Sequence, residues 1–197
     1  MKTDLKNGIF GYNPVLVQCV GLCTVIMGTE NLQSAIISCI FLLVDVVCVS
    51  CIGSAFLKGF SRFFRVALYF LTGALLVYPG LYFLESYTFI SMSYQLKICI
   101  CLMPAGSITA LIGEKIAMKR RVKETFFFSL SQALGAAAVM LPMGFIRELL
   151  AQGTVFGVKI DVPFKLSAAQ TPFACLILLG FFAVIFRLFS GKGGDEE

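Results

Sequence analysis

The sequence predicts an all-α integral membrane protein: one membrane domain over 1–197, with six transmembrane helices in a 3+3 inverted repeat and the first and fourth helices interrupted. Three observations predict it. The 197 residues are 58% hydrophobic and 14% charged, with a mean hydropathy of +0.91, against roughly 45–50% apolar and 25% charged in soluble domains. Apolar stretches close to the ~20 residues that a helix needs to cross the hydrocarbon layer account for most of the chain. Basic residues gather in alternate connections, as membrane topology requires. No length is left for a separate catalytic domain.

Taken in order, residues 1–10 mix Lys2, Asp4, Lys6 and Asn7 with few apolar side chains, which lacks the order of a cleavable signal peptide. The N-terminus is therefore expected to be retained. Apolar length and Gly/Pro or polar punctuation then place spans at about 12–28, 34–57, 64–84, 95–116, 125–146 and 171–190. The first contains Gly21 and Thr24 beside Cys23. The fourth contains Pro104, Gly106, Ser107 and Thr109, so neither reads as an uninterrupted helix. Non-helical backbone at membrane depth survives only where protein or a water-lined cavity satisfies it.

These two spans are first and fourth of six, and both end in an apolar run, a glycine and a glutamate within two residues (Gly28 with Glu30, Gly113 with Glu114). Halves of about 12–84 and 95–190 with three spans each lie in opposite orientations, the arrangement in which interrupted helices meet near the midplane. The bland alternative is that Gly and Pro are simply common in membrane helices.

Lys2 and Lys6 precede the first span, and Lys58, Arg62 and Arg65 separate the second from the third. Lys115, Lys119, Arg120, Arg121 and Lys123 separate the fourth from the fifth, and Arg187 and Lys192 close the sixth. These segments share one side of the six-span arrangement, while the loops at 28–33 and 85–93 carry no Lys or Arg. Both termini are expected in the cytoplasm. The exception is the segment 147–170, with Arg147, Lys159 and Lys165 beside the acidic Glu148 and Asp161. The net charge of +5 lies at membrane edges with no aromatic-interleaved basic face, which argues against nucleic acid as a partner and for anionic lipid of the bilayer.

Chemistry is confined to few residues. Histidine is absent, so imidazole ligands and imidazole acid–base catalysis are excluded. Of eight cysteines, Cys39, Cys48, Cys51 and Cys175 sit in apolar runs, where a thiol usually behaves as a small hydrophobe. Cys19 and Cys23 are four apart and share a helix face. They are either thiolate ligands or ordinary packing. Cys99 and Cys101 are two apart and diverge by about half a turn on a helix. Asp45, deep in the second span, is an ion-path candidate because an intramembrane carboxylate is costly. Its alternative is a protonated or hydrogen-bonded structural acid. Arg147-Glu148 ends the fifth span, and the reading put first is an interface pair with snorkelling side chains, ahead of a lining for a polar cavity. Phosphate-loop and covalent-flavin motifs are missing.

The run Asn13-Pro14-Val15-Leu16-Val17-Gln18-Cys19-Val20-Gly21-Leu22-Cys23 closely resembles the first membrane segment of the E-type subunit family of the Rnf electron transport complex, which is related to the D-type subunit of the sodium-translocating NADH:quinone reductase. A second block, Arg147-Glu148-Leu149-Leu150-Ala151-Gln152-Gly153-Thr154-Val155-Phe156-Gly157, is similar to the segment that follows the family's fifth helix. Tyr94-Gln95 and Thr171-Pro172-Phe173 also match, so the resemblance runs along nearly the whole chain. It implies a six-helix inverted repeat paired with a homologous sister subunit of the A type. An iron or 2Fe–2S centre is held between the two, with one cysteine from each interrupted helix.

Cys23 matches the first of those cysteines. At the second, Thr109 stands four residues before Gly113 where the family has cysteine, and Thr24 replaces the proline after the first. Cys19 or Cys101 could substitute, but Cys101 is eight residues from Thr109, about 12 Å along a helix. The resemblance implies a divergent membrane subunit of an Rnf-type ion-translocating oxidoreductase in the bacterial or archaeal cytoplasmic membrane. It would relay electrons coupled to sodium or proton movement as part of a complex, not as an enzyme alone. A clusterless transporter or structural subunit with the same fold is the alternative.

Overall fold

The computed structural model describes residues 15–16, 21–59, 61–88, 92–105, 122–156, 158–159 and 166–190. Among them six α-helices follow in order: α1 (Leu22–Gly28), α2 (Leu32–Phe56), α3 (Arg62–Thr88), α4 (Tyr94–Leu102), α5 (Val122–Gln152) and α6 (Pro172–Ser190). Short 3₁₀ turns at Leu57–Gly59, Met103–Ala105 and Ser167–Gln170 follow α2, follow α4 and precede α6. A small antiparallel hairpin, β1 (Thr154–Val155) with β2 (Val158–Lys159), sits between α5 and α6 and pairs Thr154 with Lys159.

Each helix lies within or around one of the six expected spans. Three are long and apolar enough to cross a membrane: Leu32–Phe56, Phe63–Ser86 and Val122–Gln152. Tyr94–Ala105 and Pro172–Phe186 are shorter apolar helices. Pro79 and Pro142 lie inside α3 and α5 without ending them, as neighbouring helices permit in a membrane.

The start of α1 has a backbone cause. Gly21 adopts φ 78° and stands as the N-cap of α1, a left-handed conformation that side-chain-bearing residues rarely take. Thr24 then turns its hydroxyl back to the Gly21 carbonyl at 2.6 Å. In the fourth span α4 gives way to the 3₁₀ turn at Met103–Ala105 around buried Pro104, which has no N–H to continue the helical ladder.

The centre of the molecule is the antiparallel seam of α2 and α5. Its register is fixed at two points: Thr125 and Ser54 hydroxyls lie 3.4 Å apart, and a side chain at Gly144 would stand 2.6 Å from the Ala35 methyl. Between them Leu42 and Val46 pack in one buried cluster with Ala133, Ala136, Val139 and Met140. Lipid is as apolar as these side chains, so close packing through small residues, not exclusion from water, holds such a seam together. On α4 and the first residue of the turn after it, Leu96, Cys99, Ile100 and Met103 form a buried i, i+3, i+4, i+7 stripe. Phe63, Phe64, Leu71 and Leu75 of α3 and Phe173, Leu176, Phe181 and Val184 of α6 are exposed. An apolar surface of that extent suits a lipid environment and not water.

Candidate functional site

The chemistry gathers around α4 and the turn that follows it. Cys23 is exposed at the start of α1, two residues after the left-handed Gly21. One residue on, the Thr24 carbonyl accepts from the Cys99 thiol at 3.6 Å, so α1 and α4 touch at their cysteine-bearing positions. Cys99 is buried and Cys101 exposed, as expected from their half-turn divergence. The stripe that buries Leu96 and Ile100 is what turns Cys99 inward. Cys19 and Thr109, the other positions singled out in the sequence, lie outside the described residues, as do residues 17–20 and 106–121.

Asp45 is 1% exposed at the middle of α2. Its Oδ1 lies where a side chain on Gly73 of α3 would come within 2.7 Å, and that same absent side chain would meet Pro104 at 2.7 Å. The carboxyl therefore packs into a notch made by a glycine, beside the proline that ends α4. Pro104 is five residues from Cys99, about 7.5 Å along the helical path. The fourth span thus neighbours α1 through Cys99 and Asp45 through Pro104. Among the described residues, no three His, Cys, Asp or Glu side chains converge on a point where a metal ion could be held.

Arg147 and Glu148 correct the interface reading. They are 1% and 4% exposed, and α5 continues past them to Gln152. Arg147 donates from Nη1 to the Ile26 carbonyl at 2.8 Å and to Thr29 Oγ1 at 3.0 Å, from Nε to the Ala169 carbonyl at 3.2 Å, and from Nη2 to the Gln170 carbonyl at 2.8 Å. A guanidinium with its donors in a fixed fork can bridge three chain segments at once, and buried charge is tolerated when so satisfied. Glu148 accepts from the backbone N–H of Leu32 at 2.8 Å and from Thr154 Oγ1 at 3.3 Å. A carboxylate thus sits at the positive N-terminal end of α2, and a guanidinium at the carbonyl end of α1, each with the favourable sign. Arg147, which opens the second block of resemblance, thus ties the end of α1 to the turn before Thr171-Pro172.

The chain matches the family model described as "Rnf-Nqr subunit, membrane protein" over residues 1–191. It belongs to the Rnf-Nqr family. Among its relatives is the D-type subunit of the Na(+)-translocating NADH-quinone reductase of Shewanella woodyi, 27% identical over 160 residues, which cover 81% of this chain and 76% of that one. The corresponding D-type subunit of Pseudomonas paraeruginosa is 28% identical over 156 residues, covering 79% and 70%. The E-type subunit of the ion-translocating oxidoreductase complex of Buchnera aphidicola is 28% identical over 200 residues, covering 94% and 88%. This Rnf-Nqr chain is therefore a membrane protein of a family of complex subunits, as its sequence blocks led one to expect.

Sequence reasoning did not single out Cys99 as the thiol nearest α1. The signal was present in the spacing of Leu96, Cys99, Ile100 and Met103, which sets Cys99 on the apolar face and leaves Cys101 off it. Arg147 was singled out with the wrong surroundings, because three of its four partners are backbone carbonyls that no side-chain pattern announces.

Proposed function

We propose that this Rnf-Nqr protein is a membrane subunit of an Rnf-type ion-translocating oxidoreductase, acting in electron transport coupled to sodium or proton translocation. Family membership over nearly the whole chain carries this reading. On it, the six helices are six spans of a bacterial or archaeal cytoplasmic membrane, with both termini inside. The two halves form an inverted repeat. Its support is that α2 runs antiparallel along α5 while α1 meets α4, the pairings that a two-fold relation between halves 12–84 and 95–190 requires.

The relay part of the reading rests on two thiols. Clusters of the 2Fe–2S type take four thiolates, and Cys23 with Cys99 offers two from one chain, leaving two for a sister subunit of the A type. Such a centre supplies one-electron transfer when bound. What this chain contributes is position: Gly21 and Thr24 set Cys23 at the start of α1, and the α4 stripe holds Cys99 against the carbonyl of the next residue, Thr24. Asp45 would serve the ion path, buried beside the break in the fourth span. A clusterless subunit of the same complex is the second reading, favoured by Thr109 at the position where the family has its fourth-helix cysteine.

Deletion of the gene, followed by ion-uptake assays on inverted membrane vesicles, tests the first claim. NADH- or ferredoxin-driven uptake of sodium or protons is expected to be lost and to return on complementation. Uptake unchanged by the deletion overturns the reading.

A further inference from the structure

At one end of the α2–α5 seam the packing becomes polar. Ser50, Ser54, Thr125, Ser129 and Gln132 are all 3% exposed or less, and the register set by Ser54 with Thr125 and by Ala35 with Gly144 places Ser50 opposite Ser129 and Gln132 opposite Val47. Three of the five are engaged: Thr125 donates to Ser54, and Ser129 returns its hydroxyl to the Phe126 carbonyl at 3.1 Å. The other two are not. Ser50 Oγ and Gln132 Nε2 are buried without a hydrogen-bond partner among the described residues. In a hydrocarbon surrounding, such groups are costly unless something satisfies them. Buried water, which typically makes about three hydrogen bonds to such groups, is the ordinary solution.

The strip also has a direction. Ser54 lies two residues before the end of α2 and Thr125 three residues after the start of α5, next to exposed Lys123 and Glu124. From Thr125 to Gln132 is about 10 Å of helix, a third of the ~30 Å hydrocarbon core. Gln132 reaches the level of Val47, about 3 Å along the axis from that of Asp45. Deeper still, the seam is closed by Leu42, Ala136, Val139 and Met140.

We propose that this end of the seam is a hydrated inlet: a file of bound water between α2 and α5, entered from the membrane face where α2 ends, and ended by the apolar middle of the seam. A water accepting from Gln132 Nε2 and donating to Ser50 Oγ satisfies both groups at once. Hydration stands on the seam alone; its use by a translocated ion would rest on the function proposed above, and the following test has no redox or transport readout, so the two can fail separately.

The test compares Ser129→Cys with Ala136→Cys, one position in the polar strip and one two turns deeper, in the complete complex in oriented membrane vesicles. Ag⁺, a thiophilic ion of the size of a small cation, is added at the face where α2 ends. Its reaction is read as protection of the introduced cysteine from later alkylation, peptide by peptide, so native cysteines do not interfere. Ser129→Cys is expected to react at least tenfold faster. Equal rates at the two positions, whether fast or slow, overturn the inlet. Gln132→Leu gives an independent reading: a lower thermal unfolding midpoint of the purified complex shows that the amide had hydrogen bonds to lose, whereas a higher one shows a dry orphan removed and overturns the proposal.

Discussion

Arg147 donates four hydrogen bonds to two segments that are distant in sequence, 26–29 and 169–170, and its replacement strands the carbonyls of Ile26, Ala169 and Gln170. Breaking a buried, satisfied charge network costs about 3–5 kcal/mol. Arg147→Lys is expected to lose most of that, because an ammonium on a flexible stem cannot reproduce a planar fork. A marked fall in the unfolding midpoint of the detergent-purified protein checks it; a midpoint within a degree or two of the parent contradicts the network. At the same scale, Cys99→Ser should perturb the α1–α4 contact while Cys101→Ser, which faces outward, should leave stability unchanged in the same assay. Both residues were visible in the sequence. Their surroundings were not: a charged pair closing an apolar run looks the same whether it snorkels or folds inward, and only the return of residues 167–170 onto α5, held by the Leu166 N–H to Leu150 carbonyl bond at 2.8 Å, decides between them.

Helices were legible where apolar length speaks for itself. The second, third and fifth spans appear as α2, α3 and α5, and α5 runs past its expected end because Arg147 and Glu148 find partners inside the protein. The start of α1 at Gly21 and the end of α4 before Pro104 were legible as well, since glycine and proline act through local backbone chemistry. Register between α2 and α5 was not legible, because small residues recur along both helices and several offsets would pack them. Close approach at Gly144 gives that register a test. Gly144→Ala places a methyl against Ala35 where 2.6 Å is available, so it is expected to destabilise by about 1–3 kcal/mol, as overpacking does. Gly180→Ala in α6 meets nothing within 4 Å and is expected to be neutral or slightly stabilising, through helix propensity alone. Equal effects in thermal unfolding would contradict the register.

Across the whole molecule, the resembling block that opens with Arg147 carries the contacts that close the fold. The end of α1, the inward Arg147 and the turn before α6 join at one end of the seam, and α4 with its Cys99 lies along its flank beside Asp45. A fold built this way can keep its shape while one ligand position changes, and Thr109 is where such a change would register. The claim that electrons pass through this subunit therefore depends on the α1–α4 thiols. The direct measurement is iron and acid-labile sulfide per subunit pair, with an electron paramagnetic resonance spectrum, on the complex purified anaerobically as wild type, Cys23→Ser, Cys99→Ser and Cys101→Ser. Intramembrane iron present in the wild type, lost in Cys23→Ser and Cys99→Ser and kept in Cys101→Ser, is the predicted result. A wild-type complex with no such iron, or with iron indifferent to Cys23, would contradict the relay and leave the clusterless subunit in its place.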